Sequence, residues 1–394
     1  MMMSEIRKVV GEELKQSLAL SQYAFQYALT ESEITESINR KKESDILGIF
    51  DGDQLASKLE IIPLSVFIQE QEIAMGGIAG VATWPEYRRK KHVSQLIKKS
   101  LETMKENNQI ISFLAPFKIS FYRKFGWDLI SSFAQLELEQ QHLTMLPVTN
   151  GSIKRVTKDE AFEELNGIYE TFALRYNGML KRTDQWWKDR VYSKDFHFVK
   201  YNDERNQASG YLLYKMKERV LEVKEMIFLT EEARRGLWNF ICQHDSMADT
   251  VKIRMTENDP LAYLLDSPTF KKEVKPYFMG RIVDALPFLR SYPFNSENSL
   301  FVHLVDEFAP WNNGTFHIQN GDVTHYQKEN EGSTCAHPPK RGIQLDIATL
   351  SAILIGGQKP TFLYQAGKIS GNEEDVQVFE KMIPDKPSFF YDFF

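Results

Sequence analysis

The residues best suited to chemistry lie between Ala79 and Trp127. Val81-Ala82-Thr83 ends an apolar run, and Pro85 opens a connection into four consecutive cations, Arg88-Arg89-Lys90-Lys91. Helical periodicity starts near Lys90 and carries Val93, Leu96, Ile97 and Leu101. A strand, a basic turn and a helix are expected. The N–H groups of a first helical turn lack partners, and the dipole there favours anions. Cations at that end oppose the dipole, and a bound pyrophosphate would account for them. A solvated helix start is the plain structural alternative. One short unit later comes Phe121-Tyr122-Arg123-Lys124-Phe125-Gly126-Trp127. Taken alone, Tyr122 reads as a packed aromatic. Placed beside a phosphate turn, its phenol could move a proton at whatever the phosphates anchor.

The elements that would position these residues follow from periodicity. Residues 11–29 hold leucines and aromatics at helical spacing and fit two short helices with a loop. Ile46–Phe50 reads as a strand, Asp51-Gly52-Asp53 as a turn, then Leu59–Ile62, Leu64–Phe67 and Ile73–Thr83 as strands. Ile110–Leu114 is a short apolar run, and Gly126 ends the helix that carries Tyr122. Glu139–His142 and Thr149–Ser152 read as a linker. An amphipathic pattern starts at Lys158 and leads to Trp186-Trp187, expected as core or interface anchors. Strands over Ala208–Met216 and Val220–Leu229, a helix over Glu231–Ile241 and a strand at Val251–Met255 complete a second region. Ile227 to Arg235 can be laid on Val81 to Arg89, strand, turn and paired arginines alike, so the second region reads as a diverged copy of the first. After about Phe278 the texture changes to a third, α+β region with strands at Leu300–Val305 and Thr315–Gln319.

The totals set bounds. At 394 residues the chain is long for one core and suggests roughly two to three domains. Hydrophobic residues at 42% and charged residues at 26% are those of a soluble globular protein. A net charge of −6 argues against general nucleic-acid binding and suits a cationic partner. The two cysteines, Cys242 and Cys335, form neither a disulfide framework nor a metal-ligand spacing. The polar N-terminus leads into no signal core, and no run is long enough to span a bilayer. No membrane partner and a cytoplasmic location are expected.

Val-Ala-Thr-x-Pro-x-Tyr-Arg-Arg at Val81–Arg89, the strand ending at Pro116 and Phe-Tyr-Arg-Lys-Phe-Gly-Trp at Phe121–Trp127 resemble the acetyl-CoA core of the GNAT acyltransferase superfamily. With Arg175-Tyr176-Asn177-Gly178-Met179-Leu180 in the middle and an aromatic C-terminus, the whole chain resembles the enhanced-intracellular-survival (Eis) family of aminoglycoside N-acetyltransferases. The resemblance implies an α/β (α+β) architecture in three parts. Residues 1–145 would be a GNAT acetyltransferase domain, 146–282 a GNAT-like domain that binds no cofactor, and 283–394 a sterol-carrier-protein-like domain. Acetyl-CoA would be the co-substrate and no metal would take part. Val81, Ala82 and Thr83 would hold the acetyl-pantetheine arm. Arg89, Lys90, Lys91, His92, Val93 and Ser94 would hold the pyrophosphate, with Phe117 and Lys118 flanking. Tyr122 would be the general acid and the terminal carboxylate of Phe394 the general base. A terminal carboxyl has a reference pKa of about 3.5, which burial among Phe389, Phe390, Tyr391 and Phe393 would raise. Phe25 and Asp392 are candidate contacts for a cationic amine. By the same resemblance the chain would assemble as a hexamer.

One residue departs from the superfamily pattern. Lys91 stands where the phosphate turn usually has glycine. Glycine there lets backbone approach phosphate at φ > 0, whereas a lysine would supply a normal helical N–H and one more cation. Two further readings follow: an acetyltransferase acting on protein lysines or small polyamines, and a decayed lipid-binding or scaffold protein with Lys91 as its lesion.

Overall fold

A computed structural model describes residues 5–41, 44–147, 151–157, 162–192, 195–295, 297–327 and 341–394. Thr149, Asn150, Lys158 and Cys335, all used above, lie outside the described residues. The chain forms two compact units. One holds the chain up to Ile130, Phe278–Asp385 and Phe394; the other holds Ser131–Tyr277 and Lys386–Phe393.

The first unit opens with β1 (Glu5–Lys8), α1 (Glu13–Phe25), α2 (Glu31–Arg40), β2 (Asp45–Asp51), β3 (Gln54–Ile68) and β4 (Gln71–Thr83). It continues through α3 (His92–Glu106), β5 (Ile111–Leu114), α4 (Ile119–Arg123) and β6 (Asp128–Leu129). The sheet runs β1-β2-β3-β4-β5, then Met279–Ile282, then β6. Only β4 and β5 pair in parallel, which is why the long connection through α3 joins them. Its two faces bury different sets. Leu47, Ile49, Leu59, Ile61 and Ile78 meet Leu96, Ile97 and Leu101 of α3. Ile46, Leu55 and Ala82 meet Leu14 and Leu20 of α1. The alternation of apolar residues along β2 to β4 supplies both sets.

Sequence suggested two strands around Pro63, and the structure has one, β3. Pairing with β2 stops at Ile61, so Pro63 sits where that edge is open and its missing N–H breaks no ladder on that side.

The second unit repeats the plan with β7 (Ser132–Glu139), β8 (Ser152–Val156), α5 (Phe162–Ala173), a turn α6 (Asp184–Trp186), β9 (His197–Asn202), β10 (Ala208–Lys217), β11 (Val220–Phe228), α7 (Glu231–Cys242), β12 (Thr250–Met255) and β13 (Lys271–Pro276). Its sheet order is β13-β7-β12-β11-β10-β9-β8, and β11 and β12 are the parallel pair. The supposed linker at Glu139–His142 is ordered. Gln140–His142 is a helical turn whose buried His142 ring accepts from the Glu139 N–H at 3.0 Å. Trp186 and Trp187 are buried in this unit.

The first unit is completed by β14 (Met279–Ile282), α8 (Ala285–Ser291), β15 (Ser299–Val305), β16 (Gly314–Gln319), β17 (Asp322–Tyr326), β18 (Ile343–Asp346), α9 (Ile347–Leu354), α10 (Pro360–Gln365) and α11 (Glu373–Met382). The four strands from β15 onward form a separate sheet, β17-β16-β15-β18. Arg281 on β14 is fully buried and donates to the Asp306 carboxylate and the Phe125 carbonyl.

Candidate active site

The site starts with a gap in the first sheet. β4 pairs with β5 only from Met75 to Ile78, while its pairing with β3 continues to Thr83. From Ala79 to Thr83 the β5 side of β4 therefore has no strand partner. Unpaired strand N–H and C=O groups are a template for an extended ligand. Val81, Ala82 and Thr83 all lie on this stretch, and the Thr83 Oγ1 is buried without a hydrogen-bond partner among the described residues. The register of β3 shifts between Lys58 and Glu60, so Gly80 and Val81 together face Leu59. This bulge re-aims the backbone beside the gap.

The basic turn stands where that edge ends. α3 begins at His92 with no side-chain cap and no acidic residue in its first turn. Arg88, Arg89, Lys90 and Lys91 are exposed and make no ion pair with other described residues; Lys90 lies over the Tyr87 ring at 4.7 Å. Arg89 and Lys91 both take positive φ, 65° and 62°. The expectation of a normal helical N–H at Lys91 is thus corrected: lysine adopts the left-handed conformation that glycine is used for. Val93 and Ser94 follow in the first turn. The His92 ring is buried and its Nδ1 is 2.9 Å from the Ser57 hydroxyl, which leaves its backbone as the part open to a ligand. Burial, with Lys90 nearby, holds that imidazole below its ordinary pKa.

Tyr122 is on α4, in the core cluster on the α3 face of the sheet. Gly126, at φ 86°, ends the helix, and a side chain there would begin 2.5 Å from the Arg281 guanidinium. Exposed Phe117 lies edge-on to the Tyr122 ring at 5.6 Å, with Lys118 exposed beside it. Burial pushes the Tyr122 phenol up to about 12, so it stays protonated across the neutral range.

Phe394 is on the other face. Gly76 and Ile78 face α3, as the Met104 contact at Gly76 and the core cluster show, so Gly77 points to the α1 face. The Phe394 ring fills that place; a side chain on Gly77 would begin 2.8 Å from it. The ring also packs on Phe278 with centroids 5.0 Å apart. Phe25, the last residue of α1, is 53% exposed. Tyr23, two residues earlier, packs at a tilt on the ring of Trp84, just past Thr83, with centroids 4.8 Å apart.

Sequence reasoning missed two polar sets. On the α1 face, Lys58 and Glu60 of β3 are buried beneath the bulge, and Glu60 pairs with Lys41 at the end of α2. In the second unit, Arg182 is fully buried and binds Glu225 bidentately and Asp392 at 3.0 Å. Asp392 also accepts from the Trp186 Nε1 at 2.8 Å. A carboxylate so enclosed and so fully partnered does not fit the expected role of Asp392 as a contact for a substrate amine. It anchors the tail. The rest of that anchor is the motif singled out in the sequence: Asn177 exchanges backbone hydrogen bonds with Pro387 and Phe389 at 2.8 and 3.0 Å. Arg254 on β12 donates to the Tyr391 carbonyl at 3.2 Å, and the Tyr391 hydroxyl reaches the Arg254 carbonyl at 3.4 Å.

The second unit has its own strand gap, and its features oppose phosphate. β11 pairs with β12 only from Val220 to Val223, leaving Lys224 to Phe228 without a strand partner on that side. Tyr391 lines the space there with Met226, Phe228 and Met255. At the start of α7, Thr230 caps the helix through the Ala233 N–H, and Glu231 and Glu232 occupy the first turn. Arg234, the counterpart of Arg88, is buried and bound to Asp259.

Among the described residues no His, Cys, Asp and Glu cluster is arranged to hold a metal ion, and no helix is long and apolar enough to cross a membrane.

Comparison with known proteins agrees with this plan. Residues 5–130 match a family described as an acetyltransferase (GNAT) domain, residues 178–282 a second family of the same description, and residues 286–391 a sterol carrier protein domain. An uncharacterised N-acetyltransferase of Streptomyces avermitilis is 18% identical over 373 residues, 88% of this chain and 87% of the relative. A crystal structure from Enterococcus faecalis, described as a probable N-acyltransferase, is 25% identical with a TM-score of 0.90 over 99% of both chains. The fold of Eis1 from Mycobacterium abscessus, 18% identical, matches with a TM-score of 0.81 over 99% of this chain and 100% of that one.

Proposed function

This chain is an N-acetyltransferase of the GNAT type, built from two GNAT domains and a sterol-carrier-protein-like domain, and we propose that it transfers acetyl from acetyl-CoA directly to amines of aminoglycoside-like polyamines. The observation that carries the reading is the free edge of β4 between Ala79 and Thr83, with an uncapped basic turn at its end, Tyr122 on one face and Phe394 on the other.

The residues suit the co-substrate. An acetyl-pantetheine arm can continue the sheet along the free β4 edge, with Thr83 Oγ1 as one buried group in need of a partner. Four exposed cations and the first-turn N–H groups of α3 suit a pyrophosphate. Acetyl-CoA supplies the activated acyl group. The backbone N–H groups near Gly80–Thr83 can donate to the carbonyl oxygen as it gains charge. The Phe394 carboxylate takes the proton of the attacking amine. Tyr122 donates to the departing sulfur. With its phenol at about 12 and a thiol near 8.5, complete proton transfer is uphill by roughly 5 kcal/mol. Tyr122 therefore acts through a hydrogen bond that strengthens as the sulfur becomes negative. Phe25, with Tyr23 and Trp84, offers exposed aromatic surface beside the site to an acceptor.

Replacing Tyr122 with Phe and extending the chain by a few residues past Phe394 test the two roles, with CoA release measured against a panel of aminoglycosides, polyamines and lysine peptides. Each change lowers kcat by about 10² or more if the group acts as stated. Unchanged turnover removes that group from the mechanism, and the panel decides the acceptor class. Absence of acetyl-CoA binding by calorimetry would instead favour a decayed enzyme with Lys91 as its lesion. A hexameric, cytoplasmic protein is part of the same Eis-based reading, and sedimentation checks the assembly.

A further inference from the structure

Lys58 has no explanation in the mechanism above. Its side chain is fully buried, and its Nζ has no hydrogen-bond partner among the described residues. A lone buried ammonium is costly, and native structures seldom keep one without a use. Its position is specific. Lys58 faces Ala82 across the β3–β4 ladder, on the α1 face, at the residue where the register slips. The bulge opposite contains Gly80, which has no side chain. Lys58 Nζ lies 3.4 Å from where a side chain on Gly80 would begin. The amine thus reaches across from β3 and lies over the backbone of β4, whose far edge is the free one.

Its surroundings favour a neutral amine. Burial, aided by Lys41, brings Lys58 down to about 7, with Glu60 acting against the shift. The Glu60 carboxylate is already bound to Lys41, at the end of α2. α1 packs on the same face of β3 and β4 and buries Ser17 and Ser21, uncharged groups; the Ser17 hydroxyl is likewise without a partner among the described residues. A neutral amine is a nucleophile, and the proposed thioester would lie along the free β4 edge, on the far side of the strand that the Lys58 amine overlies.

We propose that Lys58 is an internal acetyl acceptor: with acetyl-CoA bound and no acceptor amine present, the chain acetylates its own Lys58 Nζ. The inference rests on acetyl-CoA lying along β4 as set out above. The Nζ lone pair attacks the acetyl carbon; the N–C bond forms and the C–S bond breaks. One Nζ proton passes to the sulfur, which leaves as the free thiol of CoA. Lys58 ends as a neutral amide, which no longer carries a buried charge beside Lys41. No oxidant or further reactant is needed.

The experiment incubates the full chain with acetyl-CoA alone and maps acetyl-lysine by peptide mass spectrometry over time. Exposed Lys98 reports background chemical acetylation. Lys58 gains the acetyl group at least about tenfold faster than Lys98, and an accepted amine suppresses the gain. The rate rises about tenfold between pH 6 and pH 8 and then levels, as expected for an amine titrating near 7. Two parallel measurements separate the failures. If calorimetry shows no acetyl-CoA binding, both the parent reading and this inference fall. If the cofactor binds and amines are acetylated while Lys58 is labelled no faster than Lys98, only this inference falls.

Discussion

At the scale of single residues, Lys91 has the clearest conflict between local and functional demands. Its φ of 62° places a side chain in the left-handed region, where a non-glycine residue costs about 1 kcal/mol. Strain of this kind persists where a site needs the backbone shape. Replacing Lys91 with Gly relieves the strain and removes one cation. The unliganded first unit then gains about 1 kcal/mol, read as a higher melting temperature, while acetyl-CoA affinity changes by less than about tenfold because Arg88, Arg89 and Lys90 remain. A loss of stability would mean that the Lys91 side chain makes a contribution the turn geometry does not reveal. Tyr122 makes the opposite point. Burial beside the rings of Phe117 and Phe121 pushes its phenol up to about 12, so in the proposed mechanism it keeps its proton and acts as a hydrogen-bond donor.

At the scale of elements, the site depends on where strands stop pairing. β4 alternates its side chains between α3 and α1, and Gly77 is the position where the α1 face is taken by the Phe394 ring. Replacing Gly77 with Ala puts a carbon 2.8 Å from that ring and 3.1 Å from Leu64. The ring must move, and the terminal carboxylate with it. A fall in kcat of about 10² with little change in acetyl-CoA affinity is expected, because a misplacement of about 1 Å costs that much. Loss of cofactor binding with kcat intact would contradict the placement of Phe394 as base. The basic turn and the Tyr122 helix were legible in the sequence because strand, turn and helix there are contiguous and their periodicities local. The Phe394 role came only through family resemblance, since nothing in the spacing ties residue 394 to β4. Lys58 was illegible for another reason. On paper it is a lysine between Ser57 and Leu59, and only the α1 helix and the bulge make it a buried amine. Arg182 binds Glu225, 43 residues away, and Asp392, 210 away, and no local pattern reports such pairs. The normal helical geometry expected at Lys91 failed because a basic side chain says nothing about φ.

At the scale of the whole molecule, the two sheets share one plan, each with a parallel pair whose pairing stops partway along the longer strand, yet the residues around the two gaps have diverged. In the second unit the segment Lys386–Phe393 is held by Asn177, Arg254 and Arg182. Arg182 decides how firmly. Burial tends to raise the Glu225 carboxyl, but the Arg182 charge and hydrogen bonds outweigh it and hold the group below its ordinary value. That stabilisation is present above the usual carboxylate range and is lost as pH falls through the lowered folded pKa. Replacing Arg182 with Met strands two buried carboxylates and costs about 3–5 kcal/mol near neutrality. Hydrogen exchange should show the tail losing protection, with a penalty that shrinks on acidification as Glu225 takes up a proton. A penalty independent of pH would point to lost packing instead.

The same divergence sets how many cofactors one chain can hold. The start of α3 is uncapped and surrounded by exposed cations; the start of α7 is capped by Thr230, carries Glu231 and Glu232, and has Arg234 bound to Asp259. Two like charges brought within about 4 Å of a pyrophosphate repel it by about 1 kcal/mol each even in water, and the capping hydroxyl already uses one of the N–H groups an anion would need. Calorimetric titration of the intact chain should therefore give one acetyl-CoA per chain. Neutralising the turn with Glu231→Gln and Glu232→Gln should leave that number at one, because Thr230 and the Arg234–Asp259 pair still close the site. A second equivalent bound by the native chain would show that duplication preserved two cofactor sites. A second equivalent appearing only in the double variant would place the whole block in the two acidic charges.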